Sequence, residues 1–446
     1  MRQSIWFAVL LVSTLAFAQV VDVKKIGYAR IEINQTVGVN FANATDGVEY
    51  VNVTLLYPSD SQSQHTVFFE SSLPYTFIDT PTGKEIVFSI KNPARNNTIQ
   101  TRTIVEVDYR GLKVGGTNAS ISQDDIDTYT SQGNLVIIDD KIRSVAQEIR
   151  KDTAIDTVTS IVSWTNQHMT YDKNYSNKNI TTPEIIRVLR GTCDEFAHLS
   201  LAFSRALGIP ARFPIGYVYS GDEWGMHAWV EFFVPGYGWI EADPTYNEIG
   251  KIDATHVRLA YGPDQSAINE KLVVYGYRQP KATLDQNYSI GFLGTADFEK
   301  EIEFTAMAQE INSTAENITI MATSHSPSEI FLPVEIYPAQ ELARVGETPS
   351  IVRIQPYGQS NMTFSFAVPA GEKDIIYTYP VKITTPYGDQ TVSFSRLDRS
   401  VQPDYNNTPG ASGSPTQATA CLPAAFVLLF PLALVAGGFQ GKNQNR

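Results

Sequence analysis

Cys193 heads the run Cys193-Asp194-Glu195-Phe196-Ala197, directly after Gly191 and Thr192. His227 and Asp243 follow on what read as two consecutive strands. A thiol, a base and an orienting carboxylate in that order are the three parts of a nucleophilic cysteine site. The one other cysteine, Cys421, lies at the edge of an apolar run near the C-terminus, where it reads as a small apolar residue at a membrane boundary. Cys193 therefore has no disulfide partner in the exported part of the chain, and a lone thiol there needs another explanation.

Thr192 and Glu195 have the spacing of a capping box, Thr-x-x-Glu. Phe196, Leu199, Phe203 and Leu207 then fall along one helical face before Gly208 and Pro210 end it. This puts Cys193 at the first helical position, where free backbone N–H groups and the helix dipole favour a thiolate. A buried structural cysteine is the competing reading, and it suits a helix interior better than a start flanked by Asp194 and Glu195.

Met226 to Val234 reads as a strand, Pro235-Gly236-Tyr237-Gly238 as a turn, and Trp239 to Thr245 as the returning strand. Side chains alternate between the faces of such a hairpin, so His227 and Asp243 share a face only if the loop has an odd length. A loop of three or five residues, or a bulge at Gly238, meets that condition. Singly, His227 reads as an ordinary strand residue and Asp243 before Pro244 as a turn former. Placed together behind a helix-leading cysteine, they read as a site.

Residues 190–246 carry the strings Arg-Gly-Thr-Cys-Asp-Glu-Phe-Ala, Leu-Gly-Ile-Pro-Ala-Arg, His-Ala-Trp-Val-Glu, Gly-Trp-Ile-Glu and Asp-Pro-Thr-Tyr. This combination resembles the core of the transglutaminase-like superfamily, in its microbial secreted or membrane-anchored form. Trp164 and Met169-Thr170-Tyr171-Asp172 resemble the segments upstream of that core, and the resemblance covers about 135–280. It implies a papain-like α+β fold with Cys193, His227 and Asp243 as the matching triad, and acyl transfer from an amide through a thioester. The implied oxyanion donors are the backbone N–H of Cys193 and a second group, either Trp164 or Gln167. Trp164 reads equally well as a core aromatic.

No cofactor is expected. The six histidines, His65, His168, His198, His227, His256 and His325, show no ligand spacing with cysteine, and no loop offers the regularly spaced acids of a calcium site. A net charge of −13 argues against nucleic acid and against a basic patch on anionic lipid.

The elements that must hold this site form a multidomain chain of 446 residues. Residues 19–120 alternate apolar and polar between turn clusters, the pattern of an Ig-like β-sandwich. Ile142, Val145 and Ile149, then Ile155, Val158 and Val162, recur at helical spacing. A short helix is expected from Thr182, as cap, to Leu189, closed by Gly191. The catalytic region is assigned to 135–280 and a second β-sandwich to 281–400, with a flexible stalk over 401–417. At the ends, residues 1–18 read as a signal peptide, 418–439 as a transmembrane helix and 440–446 as a cytoplasmic tail. A cleaved lipid-anchor signal is the other reading of that tail.

Sequons at Asn34, Asn43, Asn52, Asn96, Asn118, Asn174, Asn179, Asn287, Asn312, Asn317, Asn361 and Asn406 exceed what the Ser and Thr content gives by chance. The chain is thus expected to be a single-pass cell-membrane glycoprotein with its bulk outside. The leading reading is a cysteine protease or amidase, or a transglutaminase, acting on protein or peptide substrates. A non-catalytic adhesion or envelope protein that binds through the same domain is the alternative.

Overall fold

Val51, Val53 and Leu55 are buried while their neighbours Asn52 and Thr54 are half-exposed, the alternation of a strand with one face on a core. In the computed structural model, which describes residues 22–397 apart from 111, 177, 313, 347–349 and 372–374, that strand belongs to a two-layered β-sandwich. The expected signal peptide, stalk, membrane helix and tail, with Cys421 and Asn406, lie outside these residues. Among the described residues no helix is long and apolar enough to cross a membrane.

One layer of the first sandwich orders the strands Ala282–Asp297, Ile26–Phe41, Asn96–Asp108 and Gln64–Ser71, and the other orders Lys271–Gly276, Val48–Tyr57, Gly83–Lys91 and Tyr75–Thr80. Val37, Val39, Val53, Phe88 and Ile99 fill the space between them. The boundary expected at residue 281 is therefore corrected. Residues 271–297 return from the middle region to complete the first sandwich, Phe41 pairing Ala282 and Lys271 pairing Thr54. The second sandwich begins at the strand Ile302–Asn312 and is built on Ile318, Ile320, Phe364, Phe366, Val381 and Ile383.

The helices Asp140–Ile149 and Ala154–His168 appear where the periodicity placed them, each capped by a side chain, Asp139 and Thr153. The short helix runs Thr182–Val188, with Thr181 as its N-cap. It ends on Leu189 in the left-handed conformation, φ 49°, two residues before the Gly191 expected to close it. These helices pack with Cys193–Ala206 against a sheet ordered Trp224–Ala228, Ala211–Tyr219, Val230–Val234, Gly238–Asp243 and Glu248–Ile249, with Val257–Gly262 also on Ala211–Tyr219.

Met226–Val234 forms two strands, not one. The break is at Trp229, whose indole is fully buried against Ile31, Val105 and Val257 at the seam with the first sandwich. The second sandwich meets the opposite side through Phe331 and Ile351. There Ser163 and Ser350 share a hydroxyl hydrogen bond at 3.0 Å, and Arg353 reaches Asp156 at 3.1 Å.

Candidate active site

Cys193 is the first residue of the helix Cys193–Ala206, and Thr192 is its N-cap, as the capping-box spacing indicated. Glu195 folds back so that Oε2 accepts the backbone N–H of Thr192 at 2.6 Å. Burial and Asp194 push the Glu195 carboxyl up to about 7. Gly191 is required here, because a Cβ at that position would overlap the Glu195 side chain. The thiol is partly exposed, above helices that bury Phe196, Leu199 and Phe203.

His227 lies opposite Gly216 in the pairing of Trp224–Ala228 with Ala211–Tyr219. Gly216 is also forced by proximity, since a Cβ there would overlap the carbonyl oxygen of Val257 on the strand behind it. Asp243 ends the strand Gly238–Asp243, which pairs with Val230–Val234 in the register Val234 to Gly238. The loop between them is thus Pro235-Gly236-Tyr237, an odd length, with Gly236 and Gly238 at positive φ. The parity condition is met, and His227 Nε2 lies 2.6 Å from Asp243 Oδ2.

With Nε2 held by Asp243, His227 also lies close enough to Cys193 for the two to interact electrostatically. Burial opposes a charge on the ring, but Asp243 and Cys193 together outweigh it and raise His227 to about 9. Asp243 is fully buried, which disfavours its ionised form, yet His227 and His256 hold it well below the usual carboxylate range. Its Oδ1 accepts the backbone N–H groups of Thr245 at 2.7 Å and Tyr246 at 3.3 Å. Asn166, on the helix Ala154–His168, fixes the same turn by donating to the carbonyls of Pro244 and Thr245.

The two oxyanion candidates occupy different settings. Trp164 stacks on His168 at 4.1 Å and meets Phe203 edge-on, a packing role, while Gln167 is exposed on the same helix. Two tyrosines that the sequence reading passed over also lie near the thiol. Tyr171 is held beside it by the parallel pairing of Thr170–Tyr171 with Arg190–Gly191, and partial burial, with Cys193 and Asp194, pushes its hydroxyl up to about 12. Tyr246 stacks over the His227 ring at 5.3 Å.

His256 was also missed. It sits just ahead of the strand Val257–Gly262, and its Nε2 lies 3.1 Å from the same Asp243 Oδ2. No local string marks it. The one available signal was a histidine entering a strand next to an Asp-x-x-His turn. His227, Asp243 and His256, and likewise Glu248, Asp253 and His256, lie close enough together for metal-ligand spacing. In the first group the facing atoms are hydrogen-bonded to one another, so a cation would have to displace those bonds.

A cavity of about 620 Å³ lies away from the thiol, around Arg212, Trp239, Glu241 and Arg258 where the hairpin meets the first sandwich. There Arg212 and Arg258 pair with the buried Glu231, and Arg212 packs over Trp239 at 4.3 Å.

Residues 143–244 match the family model of the transglutaminase-like superfamily. Over 248 residues the chain is 21% identical to an uncharacterized protein of Mycobacterium leprae, covering 52% of this chain and 82% of the relative. It is 28% identical over 94 residues to an uncharacterized protein of Bacillus subtilis, of which it covers 13%. Among solved structures, a cysteine-protease candidate from Cytophaga hutchinsonii aligns with a TM-score of 0.45 and 18% identity, over 61% of this chain and 94% of that one.

Proposed function

We propose that the transglutaminase-like domain at residues 143–244 is a cysteine acyl-transfer centre acting on amides of protein or peptide substrates. The observation that carries this reading is the bond of His227 Nε2 to Asp243 Oδ2 at 2.6 Å, on a ring whose charged form Cys193, at the start of its helix, also favours. The Cys193 sulfur attacks the amide carbon, and the oxyanion is met by the Cys193 backbone N–H at the helix start. His227 gives its proton to the departing amine, leaving a thioester, while Asp243 holds the imidazole in place. Water or a second amine then attacks the thioester. His227 takes the incoming proton and the sulfur leaves, giving hydrolysis or cross-linking. Tyr171 keeps its proton over the working pH range and is the better-placed second donor to the oxyanion.

The domain works at the cell surface, anchored through residues 418–439. Support comes from the sequon asparagines whose side chains are described, Asn34, Asn43, Asn52, Asn96, Asn118, Asn174, Asn179, Asn287, Asn317 and Asn361, none of which is buried. The test is incubation of the protein with a glutamine-containing peptide and a primary amine, with product masses read beside Cys193→Ala and His227→Ala, and iodoacetamide labelling of Cys193 in parallel. Cleaved, deamidated or amine-linked product lost in both variants supports the reading. Absence of every such product, with alkylation indifferent to His227, would move the assignment to a binding domain.

A further inference from the structure

Asp243 Oδ2 is approached by two imidazoles, His227 Nε2 at 2.6 Å and His256 Nε2 at 3.1 Å. The other nitrogen of His256, Nδ1, lies 3.1 Å from the carbonyl oxygen of Asp253 and 3.4 Å from Asp253 Oδ1. Both ring nitrogens thus face oxygens. A backbone carbonyl can only accept, and Asp243 already accepts from two backbone N–H groups and from His227. A neutral imidazole has one N–H, so it would set a lone pair against an oxygen at a residue 2% exposed. The doubly protonated ring satisfies both contacts.

We infer that His256 is a standing imidazolium that donates to the same Asp243 oxygen as His227, its ring 5.4 Å from the His227 ring, and offsets part of the Asp243 charge, which makes it a positioning residue for the proton on His227. The inference rests on the reading of Asp243 as the group that orients His227. Other groups around the ring fit this state. Burial opposes a charge on His256, but Asp253 and Asp243 outweigh it and hold the ring well above its ordinary value. Burial and Asp253 push the Glu248 carboxyl up to about 8, which favours its neutral form, and its Oε2 accepts the Asp253 N–H at 3.0 Å. Trp229 and Tyr246 meet the ring edge-on at 5.3 and 6.1 Å. Glu241 and Lys24 are the more distant charged groups of the cluster.

The chemical effect is on His227. With the undivided charge of Asp243 behind it, His227 would hold its proton more tightly and be a poorer acid toward a leaving amine. With His256 on the same oxygen, the proton is released nearer the working pH.

The test uses the full chain labelled with ¹⁵N-histidine, its six histidines followed by long-range nitrogen–proton correlation from pH 5.5 to 9.5. His256, assigned by its disappearance in His256→Gln, is expected to show two protonated nitrogens up to at least pH 8. Glutamine keeps a donor near Asp243 without the charge. In that variant His227 should titrate about one pH unit higher, and the alkaline limb of Cys193-dependent turnover should move with it. A His256 with a single N–H at pH 7 would overturn the inference. So would an unshifted His227 in folded His256→Gln. If that variant does not fold, His256 is assigned by elimination, from single substitutions of the other five histidines, and the wild-type spectrum then decides. Turnover that survives Cys193→Ala would sink the acyl-transfer reading instead, while the spectra still report on His256.

Discussion

Asp243→Asn keeps the side chain's size at the junction of His227 and His256, but removes the charge and makes one accepting atom a donor. His227 is then held in the wrong tautomer, and turnover should fall by about two to four orders of magnitude. Steady-state kinetics on any Cys193-dependent amide substrate checks this, and a loss under tenfold would remove Asp243 from the mechanism. The elevated His227 carries a stability consequence with a definite sign. Its affinity for a proton is higher folded, at about 9, than the ordinary 6.5. The stabilisation is complete below about 6.5 and is lost as the pH rises through 9. Melting temperatures between pH 6 and 10 should therefore fall more steeply for the wild type than for His227→Ala. The helix-start position of Cys193 and the meeting of His227 with Asp243 could be read from the sequence because each residue sits in a short string whose neighbours specify its backbone setting. His256 could not, because its partner lies across a sheet and its own string is unremarkable.

The sheet holds those residues through positions that carry no chemistry. Gly216 stands opposite His227 and against the Val257 carbonyl, so Gly216→Ala must push away the strand that follows His256. Crowding of this kind costs about 1–3 kcal/mol. Urea unfolding should show that loss, and alkylation of Cys193 should lose part of its dependence on His227, because the His256–Asp243 contact moves with Val257. Full stability in Gly216→Ala would mean that the strands separate at no cost. Helix positions were legible from the recurrence of Ile142, Val145 and Ile149 and of Ile155, Val158 and Val162, and from the capping box at Thr192 and Glu195. The hairpin parity was legible as a condition, and the loop Pro235-Gly236-Tyr237 satisfied it. The break at Trp229 was not, since an apolar residue in an apolar strand gives no sign that its indole serves a neighbouring sandwich. The end of the short helix was also hidden, because Leu189 adopts a positive φ that its residue type does not announce.

The α+β region that holds Cys193, His227 and Asp243 is gripped from both sides, by Trp229 at the first sandwich and by Phe331, Ile351 and the Arg353–Asp156 pair at the second. Trp229→Ala should cost about 3–5 kcal/mol, read as a lower melting temperature. A fragment of residues 135–280 alone would expose these faces, and is expected to bind a hydrophobic dye and melt without a cooperative transition. A sharp, high-temperature transition in that fragment would contradict the account of the seams. The presence of two sandwiches followed from alternation, but not their membership, because 282–297 alternates the same way whichever sheet it joins. That membership governs how the chain can be made. Ile26–Phe41 is made before the other strands of its sheet, yet the strand that covers its edge is translated only after the whole α+β region. Until then the nascent first sandwich has an open edge and an incomplete second layer, the condition in which strands stick to one another. During synthesis the first sandwich therefore waits for strands made long after its own first ones, so a ribosome that stalls before Asp297 leaves behind a sheet ready to aggregate.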